Sequence, residues 1–217
     1  MNKEKIIEKV KSYVKKEFEG DPTGHDWWHI LRTRKMAKEI TKKEGGDLFI
    51  IELGALLHDI GDWKFNEDLR AGSRKSRKLL EKLNVDEPTI DHVCDIVDNV
   101  SFKGANHKNG IKTLEGKIVQ DADRLDAMGA IGIARTFSYG GSVKRPIYVP
   151  EIKPKLHGTL EVNKKAHYSS GINHFYEKLL LLKDRLNTKT AKKIAIPRHK
   201  FLEVYLKEFF NEWEVKI

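Results

Sequence analysis

The stretch IIELGALLHDIGD, residues 50–62, decides the fold of this chain. It carries almost no charge before its last residues and is apolar on nearly every side, which predicts a buried helix. His58 and Asp59 arrive just before Gly61. Neighbouring helical residues point about 100° apart, so both side chains can reach one point only at a helix end that opens onto a cavity. Taken alone, the pair is better explained by a capping aspartate and a core histidine.

A second informative segment is GHDWWHILR, residues 24–32, at the start of another predicted helix. Helical spacing places His25, His29 and Arg32 on one stripe. His29 is a candidate metal ligand, and Arg32 offers a guanidinium to an anion. His25 is either an imidazole that supports a ligand or one that faces a phosphate. Tryptophan-rich helix starts with a histidine are also common in cores, so this segment carries little weight alone.

The third segment, residues 116–135, places three acids in an otherwise apolar helix. These acids are Asp121, Asp123 and Asp126. Because the apolar residues around them imply a helix that crosses the core, at least one acid needs a counter-charge. Two imidazoles and two carboxylates together make a mixed nitrogen and oxygen site for a divalent transition metal. Such a site predicts hydrolysis.

These segments resemble the HD-domain metal-dependent phosphohydrolases, whose signature is a histidine, then His-Asp, then a distant aspartate. The resemblance is greatest to the small bacterial, YedJ/YpgQ-like branch of predicted HD hydrolases, and it covers nearly the whole chain. Four stretches carry it: GHDWWHILRT (24–33), LLHDIGD (56–62), KIVQDADRLDAMGAIGIARTF (117–137) and INHFYEKLLLLKDRLNT (172–188). The third stretch is the most specific.

The resemblance implies a set of metal ligands and a catalytic acid. The ligands are His29, His58, Asp59 and Asp123. Asp121 is the fallback for the last ligand, because the family's aspartate lies in an Ala-Asp-Arg/Lys element. Asp62 stands where many members carry an acid that acts on the attacking water. Some relatives have a histidine where this chain has Val100, so we expect one metal ion rather than two.

The expected cofactor is one divalent transition metal. Manganese is the first choice, iron, cobalt, nickel and zinc are alternatives, and magnesium is less favoured, because imidazole selects borderline metals. Candidate substrate-binding residues share a cationic or imidazole group that suits a phosphate: His25, Arg32, Lys64, Arg124, His174 and Lys178. For His174 and Lys178, a structural histidine and a solvent-exposed lysine are nearly as well supported.

The predicted function is metal-dependent hydrolysis of a nucleotide or another phosphoester, as a (d)NTP pyrophosphohydrolase or phosphatase. The alternative is a non-catalytic nucleotide or nucleic-acid binding module on an HD scaffold. The complete ligand set with Asp62 favours the enzyme. The net charge of +9 favours anionic partners. Nucleic acid is the less favoured partner, because the densest basic run, residues 70–78, has no aromatic residue to stack on bases.

The expected architecture is a single all-α HD-domain helical bundle over residues 1–217, as a monomer or homodimer. The predicted helices are 3–19, 25–44, 47–60, 73–84, 87–100, 114–137, 171–187 and 189–214. Pro197 should kink or break the last one. Residues 139–171 contain prolines, paired glycines and basic residues, which predict a long loop between the Asp123 helix and the C-terminal helices. We expect this loop to act as a lid over the nucleotide.

The compartment is expected to be cytoplasmic. Residues 1–19 are too charged for a signal peptide, and no segment approaches a membrane span, so no membrane partner is expected. The only cysteine, Cys94, excludes a disulfide within the chain.

Overall fold

The computed structural model describes residues 2–61, 70–101, 110–155 and 169–216, and every regular element within these ranges is helical. The α-helices in these ranges are α1 (Lys3–Glu17), α2 (Trp27–Glu44), α3 (Leu48–Leu57), α4 (Ala71–Lys82), α5 (Glu87–Asn99), α6 (Leu114–Asp126), α7 (Gly129–Ser142), α8 (Gly171–Glu177) and α9 (Lys189–Trp213). The expected all-α fold is confirmed. None of the described helices is both long enough and apolar enough to cross a membrane.

The chain forms two compact units. Among the described residues, the first unit takes 2–21, 25–61, 70–101 and 110–123. The second unit takes 22–24, 124–155 and 169–216. Helices α1 to α5 and most of α6 therefore belong to the first unit, and α7 to α9 belong to the second.

Helix α3 lies in the core of the first unit, as its sequence predicts. Asp47 begins the helix, because its carboxylate accepts a hydrogen bond from the Phe49 N–H at 2.8 Å. Residues from α1 to α5 pack into one apolar core with α3. They include Ile6, Val10, Ile30, Leu53, Leu56, Leu80, Ile90 and Val93. This packing fixes the C-terminal end of α3, where His58 and Asp59 follow.

Helices α2 and α3 are joined by a buried ion pair. Glu52 of α3 lies 2.5 Å from the Arg34 guanidinium and 3.2 Å from the Lys38 ammonium, both on α2. The Glu52 and Arg34 side chains are 11% and 15% exposed, whereas that of Lys38 is 39% exposed, so water screens the contact with Lys38 more strongly. The contact with Arg34 therefore holds α2 in a fixed position along α3.

The sequence predicted one continuous helix over residues 114–137. That prediction was wrong, because the structure has two helices there. Helix α6 ends at Asp126 and α7 begins at Gly129, which has a φ of +70°. A left-handed residue ends a right-handed helix, and glycine adopts this conformation without steric cost. The apolar spacing continues across Met128, so periodicity alone does not reveal the break.

The C-terminal helices also differ from prediction. The predicted helix 171–187 is the short α8 followed by two 3-10 turns, Leu179–Leu181 and Lys183–Arg185. Pro197 does not break α9, which continues to Trp213. Proline leaves the carbonyl of Lys193 without its helical partner. Because Pro197 and Lys193 are both exposed, water can hydrogen-bond to that carbonyl.

The predicted lid, residues 139–171, begins too early. Helix α7 continues through two glycines to Ser142, and glycines are common at helix C-termini. The loop also follows α7 rather than the helix that carries Asp123. Where the chain returns, the Gly171 and Ile172 N–H groups each donate at 2.9 Å, to the carbonyls of Pro146 and Ile147. Residues 156–168 lie outside the described residues, so the lid stays a prediction.

Candidate metal centre

Four predicted ligands from three helical segments of the first unit lie together. His29 is in the first turn of α2, where Asp26 caps the helix by accepting a hydrogen bond from the His29 N–H at 2.8 Å. His58 and Asp59 occupy the turn directly after α3, which ends at Gly61 with a φ of +71°. Asp123 lies in the last turn of α6.

The carboxylates of Asp59 and Asp123 each lie close to the same two imidazole nitrogens. The His29 and His58 Nε2 atoms are 3.1 Å apart. The Asp59 Oδ2 atom lies 3.2 Å from the first and 3.5 Å from the second. The Asp123 Oδ1 atom lies 3.6 Å and 3.8 Å from the same two nitrogens. Asp121, the fallback, is fully buried, but the carboxylate beside both imidazoles belongs to Asp123.

The ring orientations suit a cation. The His58 Nδ1–H donates to the Ala55 carbonyl at 2.9 Å, so the Nε2 atom of the neutral ring carries a lone pair. The His29 Nδ1 atom contacts the Thr33 hydroxyl at 3.4 Å. Both Nε2 atoms therefore face the carboxylates rather than the surrounding protein.

The spacing fits a single metal ion. With metal–ligand distances of about 2.0–2.2 Å, neighbouring ligand atoms at 90–110° are about 3.0–3.5 Å apart. The separations among the His29, His58 and Asp59 atoms, 3.1–3.5 Å, fall within this range. Those from Asp123 to the two imidazoles are slightly longer, at 3.6 Å and 3.8 Å. His29 and Asp59 are 0% and 7% exposed, whereas the Asp123 side chain is 25% exposed. The site is closed on the imidazole side and more open at Asp123.

Asp59 is ionised in this setting. Burial by itself raises the pKa of its carboxyl, but hydrogen bonds with His25 and His29, and the positive charge of His58 whenever that ring is protonated, outweigh burial. The pKa of Asp59 therefore lies well below its usual range. An ionised carboxylate beside two imidazoles is the donor set that a borderline divalent metal prefers.

His25 lies beside the same carboxylate. Its Nδ1 atom is 3.0 Å from Asp59 Oδ2, and its ring packs edge-on against His29 with centroids 5.6 Å apart. The sequence left two roles open for His25, supporting a ligand or facing a phosphate. This position is the one expected of an imidazole that supports a ligand. Arg32 lies on α2 three residues beyond His29 and is partly exposed.

Arg124 has a different environment from the one predicted. The side chain is 8% exposed, and its guanidinium donates to the backbone carbonyl of Arg185 within the second unit. The sequence analysis had proposed this guanidinium as a phosphate-binding group. The expected counter-charge for a buried acid is confirmed nearby, because Arg135 pairs with Asp126 at 3.2 Å.

The other predicted substrate residues remain predictions. His174 and Lys178 lie on and just after α8 in the second unit, and both are partly buried. Asp62 and Lys64 lie outside the described residues. Sequence reasoning missed the contact between His25 and Asp59 and the position of Thr33 beside His29. The i, i+4 spacing of Thr33 from His29 is the signal that could have revealed the second contact.

Comparisons with known proteins agree with this geometry. Residues 27–128 match the HD domain family. YpgQ of Bacillus subtilis is 35% identical over 210 residues, which cover 96% of this chain and 94% of YpgQ. An HD-superfamily hydrolase from Bacillus thuringiensis is 45% identical, with a TM-score of 0.75 over 99% of this chain and 100% of that one. A Lactobacillus plantarum protein is 34% identical, with a TM-score of 0.89 over the whole of both chains.

The helical fold and the cluster of histidines and aspartates define a class of hydrolase. The chain belongs to the HD-domain superfamily and is a metal-dependent phosphohydrolase. YpgQ has also been crystallised in complex with ADP, and that structure matches this chain with a TM-score of 0.74 and 33% identity over 95% of this chain and 97% of that one.

Proposed function

We propose that this protein hydrolyses nucleotides, either at the alpha phosphorus with release of pyrophosphate or by removal of a terminal phosphate. The observation that carries the substrate class is the ADP complex of YpgQ, a relative that is 35% identical to this chain. The net charge of +9 supports a polyanionic substrate.

In this proposal, one divalent transition metal, preferably manganese, is held by the Nε2 atoms of two histidines and by two carboxylates. The residues are His29, His58, Asp59 and Asp123. A bound metal at such a site lowers the pKa of water and polarises a phosphoryl oxygen. The chain itself supplies imidazole rings whose orientations are fixed by Ala55 and Thr33.

We assign the remaining catalytic tasks to other residues predicted from the sequence. Asp62 accepts the proton of the attacking water in our proposal, as the resemblance to HD-domain hydrolases with an acid at this position implies. Arg32 follows His29 on α2 and supplies a guanidinium to a phosphate oxygen. His174 and Lys178 stay secondary candidates for the same task. Arg124 also stays a secondary candidate, although its guanidinium already donates to a backbone carbonyl.

The alternative, a non-catalytic binding module, is less well supported. Binding alone does not require two carboxylates beside the same pair of buried imidazoles, and this chain has both. Burying ionised carboxylates is costly unless a partner compensates them. Their retention therefore favours an enzyme.

A substrate panel tests the proposed function. Nucleoside mono-, di- and triphosphates and p-nitrophenyl phosphate are incubated with metal-stripped protein and Mn²⁺, Co²⁺, Ni²⁺ or Mg²⁺. Products are separated so that pyrophosphate and phosphate are counted independently. We expect turnover of nucleotides with Mn²⁺, and a higher kcat/KM for nucleotides than for the generic ester. Equal or lower kcat/KM for nucleotides would contradict the substrate class.

Two variants show whether any measured turnover comes from this site. His58→Ala removes a proposed ligand, and His92→Ala removes a half-buried histidine of the same unit that pairs with Glu115 at 3.7 Å. We expect turnover to disappear in the first variant and to persist in the second. Equal turnover in His58→Ala and the native protein would place the chemistry elsewhere.

A further inference from the structure

We propose that His25 is a positioning residue, which donates a hydrogen bond from its Nδ1–H to Asp59 Oδ2 and so holds that oxygen toward His29 and His58. The inference concerns the same metal centre as the proposed function. It does not depend on the substrate, because its test uses Mn²⁺ alone.

The first argument is that one carboxylate oxygen serves three imidazoles. Asp59 Oδ2 lies 3.0 Å from His25 Nδ1, 3.2 Å from His29 Nε2 and 3.5 Å from His58 Nε2. The shortest of these contacts is to His25. Asp59 follows the end of α3, so the backbone hydrogen bonds of the helix do not fix the direction of its side chain. A hydrogen bond from outside the helix supplies that restraint.

The second argument concerns the proton. An ionised carboxylate only accepts hydrogen bonds, and His25 Nδ1 lies 3.0 Å from Asp59 Oδ2, within hydrogen-bond distance. The proton in the contact therefore resides on His25 Nδ1. A protonated nitrogen has no lone pair for a metal, so His25 in this tautomer does not bind the metal through Nδ1, the atom that contacts Asp59.

The third argument is that the two imidazoles of the cluster have partners of the same kind. His58 is oriented by the Ala55 carbonyl at 2.9 Å, and His29 contacts the Thr33 hydroxyl at 3.4 Å. His25 orients the Asp59 carboxylate in the way that Ala55 and Thr33 orient the two imidazoles. Partners that orient metal ligands typically contribute about 10–100-fold to metal affinity.

The position of His25 also separates it from the ligands. Its side chain is 19% exposed, against 0% for His29 and 1% for His58. It precedes the capping residue Asp26, so it lies outside α2 and approaches Asp59 from the edge of the cluster. The proton on Nδ1 and the position before the N-cap of α2 are what we expect of a positioning residue.

The test is isothermal titration of Mn²⁺ into metal-stripped variants. His25→Ala removes the donor, whereas His25→Asn keeps an amide N–H near the place of Nδ1. We expect Mn²⁺ binding to weaken about 10–100-fold in His25→Ala and to stay close to native in His25→Asn. His92→Ala, which removes a histidine that contacts Glu115 rather than Asp59, should bind Mn²⁺ like the native protein. Circular dichroism of each metal-free variant reports folding separately.

Three results would overturn the positioning role. Unchanged Mn²⁺ affinity in His25→Ala would show that Asp59 is held without His25. Equal loss in His25→Asn and His25→Ala would make His25 a metal ligand, because an amide replaces the hydrogen bond but not the imidazole lone pair. A third contrary result would be a native Mn²⁺ affinity in His25→Ala together with a raised nucleotide KM at saturating Mn²⁺. That result would show that His25 contacts the substrate phosphate instead of positioning Asp59.

Discussion

Two carboxylates are almost equally buried in this molecule but have different partners. Asp59 in the first unit is 7% exposed, and Glu177 in the second is 8% exposed. Glu177 Oε1 accepts hydrogen bonds from the Lys155 N–H at 3.1 Å and from the Ser169 hydroxyl at 2.8 Å. Around Asp59 Oδ2 the nearby groups are imidazole nitrogens, of His25, His29 and His58.

The difference lies in whether the partners of a buried acid can also bind a cation. An amide N–H and a hydroxyl bring fixed protons, so the protein itself compensates the charge of Glu177. The imidazoles beside Asp59 place two Nε2 atoms 3.1 Å apart, and the lone pair of His58 faces inward. Such a set is completed by a cation. Burial alone does not distinguish the two acids, but the chemistry of their partners does.

The largest expected effect is that of Asp59→Ala. Elemental analysis of the native protein should find about one transition metal per chain, and the variant should contain almost none because a ligand at the centre of the cluster is gone. Circular dichroism should still show a helical protein. Asp95→Ala, which removes an exposed acid of the same unit, should keep its metal. Full occupancy in Asp59→Ala would disprove the ligand assignment, and two metals per native chain would contradict the single ion expected from Val100.

The next effect concerns an acid expected to act on water rather than on the metal. Asp62→Asn should retain the metal content of the native protein and lose about a hundredfold or more in kcat, as removal of a general base does. Measuring metal content and turnover on the same sample separates this behaviour from that of Asp59→Ala. A metal-loaded Asp62→Asn protein with near-native turnover would reject the role.

Glu177→Ala should affect stability without affecting the metal. The substitution leaves the Lys155 N–H and the Ser169 hydroxyl without their acceptor, which should lower the free energy of unfolding by about 1–3 kcal/mol. Glu177→Gln keeps an amide oxygen as acceptor and should lose less. Urea unfolding measures the change, and elemental analysis should find native metal content in both variants. Loss of metal would show that Glu177 is more than a structural acid.

The parts of the fold that were predictable have strong local patterns. The apolar stretch before His58 predicts a buried helix because few other structures can bury so many consecutive apolar residues. The break at Gly129 was not predictable in the same way, since the apolar spacing continues across it. The early end of α8 is also invisible to periodicity, because 3-10 turns keep a similar spacing of apolar residues.

The site was predictable to the extent that residue type determines chemistry. His29, His58, Asp59 and Asp123 have the right ligand atoms, and the structure places them together. The direction of a long side chain depends on distant partners. The Arg124 guanidinium contacts a carbonyl 61 residues away in sequence, and the His25 ring contacts a carboxylate 34 residues away. Local spacing carries no information about either contact.

The smallest expected effect tests how far orientation around the cluster extends. Thr33 is fully buried, and its hydroxyl contacts His29 Nδ1 at 3.4 Å, a distance at which hydrogen bonds are weak. Thr33→Val keeps the shape but removes the hydroxyl, so Mn²⁺ affinity should fall by only about threefold, below the usual contribution of a well-placed partner. Thr41→Val is the matched control, because the Thr41 hydroxyl donates to the Ala37 carbonyl at 2.8 Å on the same helix and should not influence Mn²⁺ binding. A loss in Thr33→Val as large as that in His25→Ala would show that the orientation of His29 matters as much as that of Asp59. No loss at all would mean that the α2 backbone, capped by Asp26, suffices to hold His29.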